Sequence, residues 1–180
     1  MTESLYFIAI LPDPPVYDRV MAFKEEVASL FGSKAALRSP PHITLHMPFK
    51  WKESKEHLLR QKLAGFSFEH YPFNIGLGGF GAFPPRVIFV DVIQNEALKS
   101  LQKQLVRHMR TQLNVFNADY KDKPFHPHMT IAFRDLKKAR FKEAWDHFES
   151  IEYEAAFPVK GFHLLKHDGK RWNEFEFFEG

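Results

Sequence analysis

Cysteine is absent from the 180 residues, which excludes a disulfide scaffold, a zinc finger and a thiol nucleophile. That absence fits a reducing compartment, and the expected location is cytoplasmic. No stretch approaches the roughly 20 consecutive apolar residues needed to span a bilayer, so no membrane association is expected. The start, Met-Thr-Glu-Ser followed by Leu5 to Leu11, carries no basic leader and no small-residue cleavage site, and no secretory signal is expected from it. Low-complexity segments are missing as well. Charge of one sign is also scarce. A formal net charge of +3, from 25 basic and 22 acidic residues, is compatible with an anionic substrate but far from the dense basic stripe of a sequence-reading DNA-binding protein.

What is present is an apolar fraction of 44%, enough for one well-buried domain over residues 1–180, or for two small lobes sharing a core. Leu5 to Leu11 has the length and composition of a buried strand. Pro12 and Pro14 stop it, and Val16, Val20, Phe23, Val27 and Leu30 then recur at helical spacing up to Gly32. His42 to Met47 reads as a strand, and Ser54 to Leu63 as a short helix with Ser54 at its N-cap. Phe66 to Ile93, rich in Phe, Val and Ile and broken by glycines and by Pro84-Pro85, reads as two or more strands. Asn95 is placed to cap a helix lined by Leu98, Leu101, Leu105, Met109 and Leu113. Lys121 to Pro124 reads as a loop and His128 to Phe133 as a strand. Asp135 is expected to cap a helix bearing Phe141, Trp145 and Phe148, and Asp168-Gly169 marks a hairpin between two alternating runs. This order of elements predicts an α+β fold.

Two pentapeptides match. Pro41-His42-Ile43-Thr44-Leu45 and Pro127-His128-Met129-Thr130-Ile131 share Pro, His and Thr and are apolar at the other two places. The histidines lie 128 − 42 = 86 positions apart, close to half the chain, which hints at duplication. Side chains alternate across a strand, so His and Thr of each motif share one face at about 6–7 Å while the apolar residues face the core. Two such strands side by side across a groove would bring two imidazoles and two hydroxyls to one small anion. Phosphodiester chemistry needs a base for the attacking oxygen and an acid for the leaving one, and imidazole serves as either near neutral pH. The threonine hydroxyls are candidates for holding the non-bridging oxygens. His42 and His128 are therefore the candidate catalytic pair, Thr44 and Thr130 the candidate phosphate-binding pair, and neither metal nor cofactor is called for.

With those motifs the chain resembles the 2H phosphoesterase superfamily and, within it, the bacterial 2′-5′ RNA ligase-like proteins. Gly79-Phe80-Gly81-Ala82-Phe83-Pro84-Pro85-Arg86-Val87-Ile88-Phe89 is similar to the family's glycine-aromatic stretch between the motifs. The resemblance implies a bilobal, pseudo-symmetric fold, two antiparallel sheets flanked by helices around a central cleft, with His42, Thr44, His128 and Thr130 in that cleft. It also implies action on 2′,3′-cyclic phosphates or 2′-5′ linked RNA and nucleotide ends, with an RNA end or nucleotide-type phosphodiester as partner and no obligate protein partner. Which histidine is acid and which is base stays open at this point.

Around the motifs, His46 on the expected face of His42, and His126 on that of His128, are candidates for substrate contact. So are Arg134 as a phosphate contact and Phe49, Phe83 and Phe125 as base-stacking surfaces, whereas Lys50 and Lys52 read as solvated surface. The run Gly76 to Gly81 formally matches G-x-G-x-x-G, but Pro84 and Pro85 forbid the helix that a dinucleotide site requires, so these glycines read as bulges or a turn. Two rivals remain. A metal hydrolase built on His42, His46, His126 and His128 is disfavoured because His42 and His46 on one strand would stand about 13 Å apart. A non-catalytic binder of RNA ends or phosphorylated small molecules would not need two imidazoles.

Overall fold

The computed structural model describes residues 2–118 and 123–180, so part of the loop expected over Lys121 to Pro124 lies outside the described residues. In chain order the elements are β1 (Glu3–Ile10), α1 (Val16–Phe31), β2 (Ile43–Lys52), α2 (Glu56–Ala64), β3 (Phe73–Phe83), β4 (Val87–Val92), α3 (Glu96–Leu113), β5 (His128–Ala132), α4 (Lys138–Glu149), β6 (Glu154–Val159), β7 (Gly161–His167) and β8 (Trp172–Glu179). The strands form two four-stranded antiparallel sheets, β2-β1-β7-β8 and β5-β4-β3-β6. β1-α1-β2 and β4-α3-β5 are the same motif in the two sheets, and each ends in a histidine-bearing strand at a sheet edge.

The helices exchange sides. α1, from the first half, packs against β5, and α3, from the second half, packs against β2. Each histidine strand is therefore backed by the helix of the opposite half. The reason is visible in the stripes: Val20, Phe23 and Val27 on α1, and Leu98, Leu101, Leu105 and Met109 on α3, are all fully buried. One continuous core of both sheets' inner residues results. Among the described residues no helix is long and apolar enough to cross a membrane.

Several local expectations need correction. β2 runs on to Lys52, beyond the expected end at Met47. Leu30 is exposed and Phe31 takes the last buried position of α1 before Gly32, whose φ of 75° ends the helix. Ser54 lies within a single 3₁₀ turn, and α2 has no side-chain cap. Asp135 does not cap α4 either, because its carboxylate is engaged elsewhere, as described below. Asn95 does cap α3, its side chain accepting from Leu98 N at 2.9 Å.

The glycine-rich segment is strand β3, with a register shift between Leu77 and Phe80 and Gly79 at φ 70°, the geometry of a bulge. Gly81 answers a different need. A Cβ there would stand 2.4 Å from the ring of Phe89 on the paired strand, so only glycine lets that ring lie flat across β3.

Candidate active site

Thr44 pairs with Ala9, Thr130 with Phe89, and His128 with Asp91. Paired residues share a face, so on each sheet the motif side chains stand opposite the core residues Ile8, Ile10, Val90 and Val92. β2 and β5 are the edges where the two sheets approach each other, and they are in direct contact. A protonated His128 is near enough to make charge on His42 less favourable. Both threonines and both histidines are partly accessible.

The two imidazoles are held identically. His42 Nδ1 donates to the carbonyl of Pro40 at 2.7 Å, and His128 Nδ1 donates to the carbonyl of His126 at 2.6 Å, in each case two residues upstream. A carbonyl can only accept, so Nδ1 carries the proton and Nε2 is left with a lone pair in the neutral ring. Each ring also leans on a phenylalanine of the neighbouring strand: Phe7 on β1 at 4.9 Å from His42, and Phe89 on β4 at 5.0 Å from His128. The flat path made by Gly81 is what lets Phe89 reach this position.

Their electrostatic surroundings differ. Lys24 on α1 is 1% exposed, and its ammonium donates to the carbonyls of Ala36 at 3.0 Å and Ser39 at 2.8 Å, in the segment that leads into His42. Burial lowers that ammonium to about 7. Burial likewise holds His42 far below the ordinary imidazole value, at about 3, and repulsion from Lys24 adds to the effect. His128 is lowered too, chiefly by burial and further by the His126 ring, while its hydrogen bond to the His126 carbonyl and, to a smaller extent, the carboxylate of Asp91 work in the opposite direction.

Two ties join the halves beside the motifs. Asp135, seven residues past His128, accepts from Ser33 Oγ at 2.6 Å, Lys34 N at 2.8 Å and Ala35 N at 2.9 Å. On the other side, Met47 N donates to Ala118 O at 3.3 Å, and Asn117 Nδ2 donates to Pro48 O at 2.9 Å.

The secondary candidates divide. Phe83 is 42% exposed and meets His128 edge-on at 5.2 Å and His126 at 5.3 Å, so it borders the cleft. His126 is exposed just ahead of β5, 5.9 Å from His128 ring to ring. Arg134 is exposed over the ring of Phe133, its carbonyl accepting from Arg86. His46 and Phe49 must be corrected. The β1–β2 register shifts between Ile8 and Ala9, where Ala9 pairs with Thr44 and Ile8 with His46, so Leu45 is an extra residue. This bulge reverses the phase of the strand and turns His46 into the core, 0% exposed, with Nδ1 donating to Met47 O. A second shift, between Ile8 and Tyr6, leaves Phe49 3% exposed and stacked on Tyr6 at 6.1 Å. Phe125 packs against the core, and Lys50 and Lys52 lie at the far end of β2 from His42.

Sequence reading passed over Lys24 and Asp91, and gave Asp135 only the role of a helix cap. Lys24 had a signal, since it interrupts an apolar stripe at i+4 from Val20 and i−3 from Val27. Asp91 had a weaker one, a lone carboxylate in the run Val87 to Val92. Nothing local marks Asp135 as a partner of residues a hundred positions away.

The family model of the 2′-5′ RNA ligase superfamily matches residues 12–171. The chain belongs to that superfamily, the 2H phosphoesterases. Among its relatives, a protein of Geobacillus kaustophilus named "Putative phosphoesterase" is 28% identical over 179 residues, covering 96% of this chain and 94% of its own. Another of the same description, from Geobacillus thermodenitrificans, is 28% identical over 165 residues, covering 89% and 86%. The fold is shared with TT0787 of Thermus thermophilus (TM-score 0.71, 23% identity, 97% of both chains) and with E. coli LigT complexed with 3′-AMP (TM-score 0.69, 17% identity, 99% and 98%). In this 2H phosphoesterase, then, the α+β fold of two antiparallel sheets that the resemblance implies is the one observed.

Proposed function

We propose that this chain is a metal-independent phosphodiesterase acting on 2′,3′-cyclic phosphates or 2′-5′ linked RNA and nucleotide ends, with His42 and His128 as its acid/base pair. The observation that carries this reading is the matched pair of Nδ1–carbonyl bonds, which fixes both rings in one tautomer and leaves both Nε2 atoms for chemistry. A site that only bound its ligand would need neither ring so prepared. Superfamily membership supports phosphoester chemistry, and LigT, in its complex with 3′-AMP, shows that a protein of this fold takes a nucleotide.

In the opening of a cyclic phosphate, Nε2 of neutral His42 takes a proton from water as the water oxygen attacks phosphorus. The bond from phosphorus to the departing ribose oxygen breaks, and that oxygen receives the proton on Nε2 of His128. Thr44 and Thr130 donate to the non-bridging oxygens, whose charge rises in the transition state. His42 is the base because burial and Lys24 keep it unprotonated, whereas Asp91 and the incoming phosphate favour the charged form of His128. In the reverse, joining direction the roles exchange.

The test is turnover of an oligonucleotide ending in a 2′,3′-cyclic phosphate, beside nucleoside cyclic phosphates and 2′-5′ linked dinucleotides. We expect a bell-shaped dependence of kcat/KM on pH and a loss of about 10²–10⁴-fold for His42→Ala or His128→Ala with circular dichroism unchanged. Full activity in either variant, or none in the folded wild type on all three substrate classes, would end this reading.

A further inference from the structure

The two histidines ride on β2 and β5, yet these strands are edges of separate sheets, and among the described residues no backbone ladder pairs one with the other. Within a sheet the ladder fixes how neighbouring strands stand. Between these two strands that task falls to the helices behind them and to the two ties beside the motifs. The ties follow the pseudo-symmetry of the chain, each running from a point past one histidine to the segment ahead of the other. They are unequal. Met47 N and Asn117 Nδ2 contribute one bond each, at 3.3 and 2.9 Å, to neutral carbonyls. The single carboxylate of Asp135 collects three, from Ser33 Oγ, Lys34 N and Ala35 N, and bonds to an ionised acceptor are the stronger kind.

Both ends of the Asp135 tie are stiff. Asp135 stands directly after β5 in a turn closed by Leu136 N donating to Phe133 O at 2.8 Å, with Leu136 fully buried. Across the gap, Ser33 is 1% exposed, so its hydroxyl has left water and depends on the carboxylate for a partner. The chain then makes a 3₁₀ turn, Ala35–Arg38, which Lys24 braces through the carbonyls of Ala36 and Ser39. Next comes Pro40, whose carbonyl orients the His42 ring. A path of hydrogen bonds thus leads from the strand of His128 to the ring of His42, and Asp135 is where it crosses from one half to the other.

Geometry of this kind matters to a paired acid and base. Each must reach its own oxygen on one phosphorus at the same moment, and a misplacement of about 1 Å can cost about 10²-fold in rate. Burial raises the Asp135 carboxyl, but the hydrogen bonds, led by that from Ser33, outweigh it and hold it below the ordinary carboxylate range. The tie therefore stays charged wherever a histidine pair can work.

We propose that Asp135 is a positioning residue of the phosphodiester reaction, which sets the spacing of His42 and His128 by fastening the end of β5 to the segment that orients His42. This rests on the reading of the two histidines as an acid/base pair. Asp135 touches neither ring and acts through where they stand.

Steady-state kinetics on a 2′,3′-cyclic phosphate tests it in wild type, Asp135→Asn, His128→Ala and the double variant. Asp135→Asn puts an amide N–H against a donor and should lower kcat about 10-fold or more while KM stays within about threefold. Added to His128→Ala, where there is no second ring to place, it should cost less than about twofold further. Equal losses in the two backgrounds, or a loss confined to KM, would overturn the role. Asn95→Ala, which uncaps α3, controls for general loosening and should keep kcat within about twofold. A loss there equal to that of Asp135→Asn would likewise overturn it. Ser33→Ala removes one donor of the same tie and should show the same pattern at about threefold, which keeps the test open should Asp135→Asn fail to fold. If the wild type opens no cyclic phosphate, the phosphodiesterase reading falls by itself, and inorganic phosphate then reports the spacing. In NMR spectra of the histidine nitrogens, phosphate should shift both Nε2 signals of the wild type together, and those of Asp135→Asn only at concentrations at least about threefold higher. Identical titrations would end the spacing role.

Discussion

The two histidine strands hold their rings alike, bury both, and differ in the charged groups around them. Each presents an imidazole whose Nδ1 is tied to the carbonyl two residues upstream and whose face rests on a phenylalanine. Yet His42 has a buried ammonium nearby and His128 a carboxylate. The shared features set tautomer and direction. In the proposed mechanism the difference sets which ring accepts the proton, and it comes from residues outside the motifs. Pseudo-symmetry supplies a matched pair, and on the proposed mechanism the departure from symmetry supplies its direction.

The sharpest way to break this comparison is a substrate with sulfur in place of the departing ribose oxygen. A thiolate leaves without a proton, so the thio substrate should restore His128→Ala to within about tenfold of the wild type, while His42→Ala stays about 10²–10⁴-fold down. Equal recovery of both variants would show that the two rings are not differentiated as proposed.

Next comes Lys24→Met, which keeps the bulk and removes the cation. His42 should then titrate closer to its ordinary value, moving the acid limb of kcat/KM upward in pH. The carbonyls of Ala36 and Ser39 lose their donor, at a cost of about 1–3 kcal/mol in denaturant unfolding. A limb that stays in place would mean that Lys24 matters only structurally.

Asp135→Asn weakens the tie from the His128 side of the cleft to Ser33, Lys34 and Ala35, and should cost about 1–2 kcal/mol of stability with the pH limbs unmoved. Asp91→Asn should do the reverse. It removes the one influence near His128 that favours the protonated ring besides the His126 carbonyl, so the basic limb should move to lower pH with little change in stability.

Stability against pH probes the same contrast from the His42 side. Because His42 titrates lower in the folded chain than the ordinary 6.5, the unfolded chain binds the proton first. Stability should therefore be complete above about 6.5 and fall as the pH drops from there toward about 3, and His42→Gln should flatten that slope in a series of urea titrations. A variant with the same slope as the wild type would place the acid sensitivity elsewhere.

Helices were legible wherever a stripe of apolar residues repeats every three or four positions, because burial of one face is decided locally; α1 and α3 follow that pattern closely. Caps were less so. Asn95 caps α3 as its sequence suggests, but Asp135 is drawn away by three donors on a loop a hundred residues earlier, a competition no local pattern records. The faces of β2 were misread past Thr44 for a similar reason. Strict alternation put His46 beside His42, whereas the extra residue at Leu45, visible only against the register of β1, sends it into the core, and a second shift between Ile8 and Tyr6 then seats Phe49 there. Phe83, by contrast, came to the cleft because the β3–β4 hairpin folds it against β5.

By itself the sequence determined the strand and helix periods, the absence of thiol chemistry, and a duplicated His-x-Thr unit, each of which follows from the order of neighbouring residues. Only the tertiary structure decided that the halves exchange helices and that a lysine from α1 and an aspartate from β4 give two similarly held rings different surroundings. Those outcomes depend on Coulomb interactions and packing between segments far apart in the chain, and such distances exist only once the fold has brought the segments together.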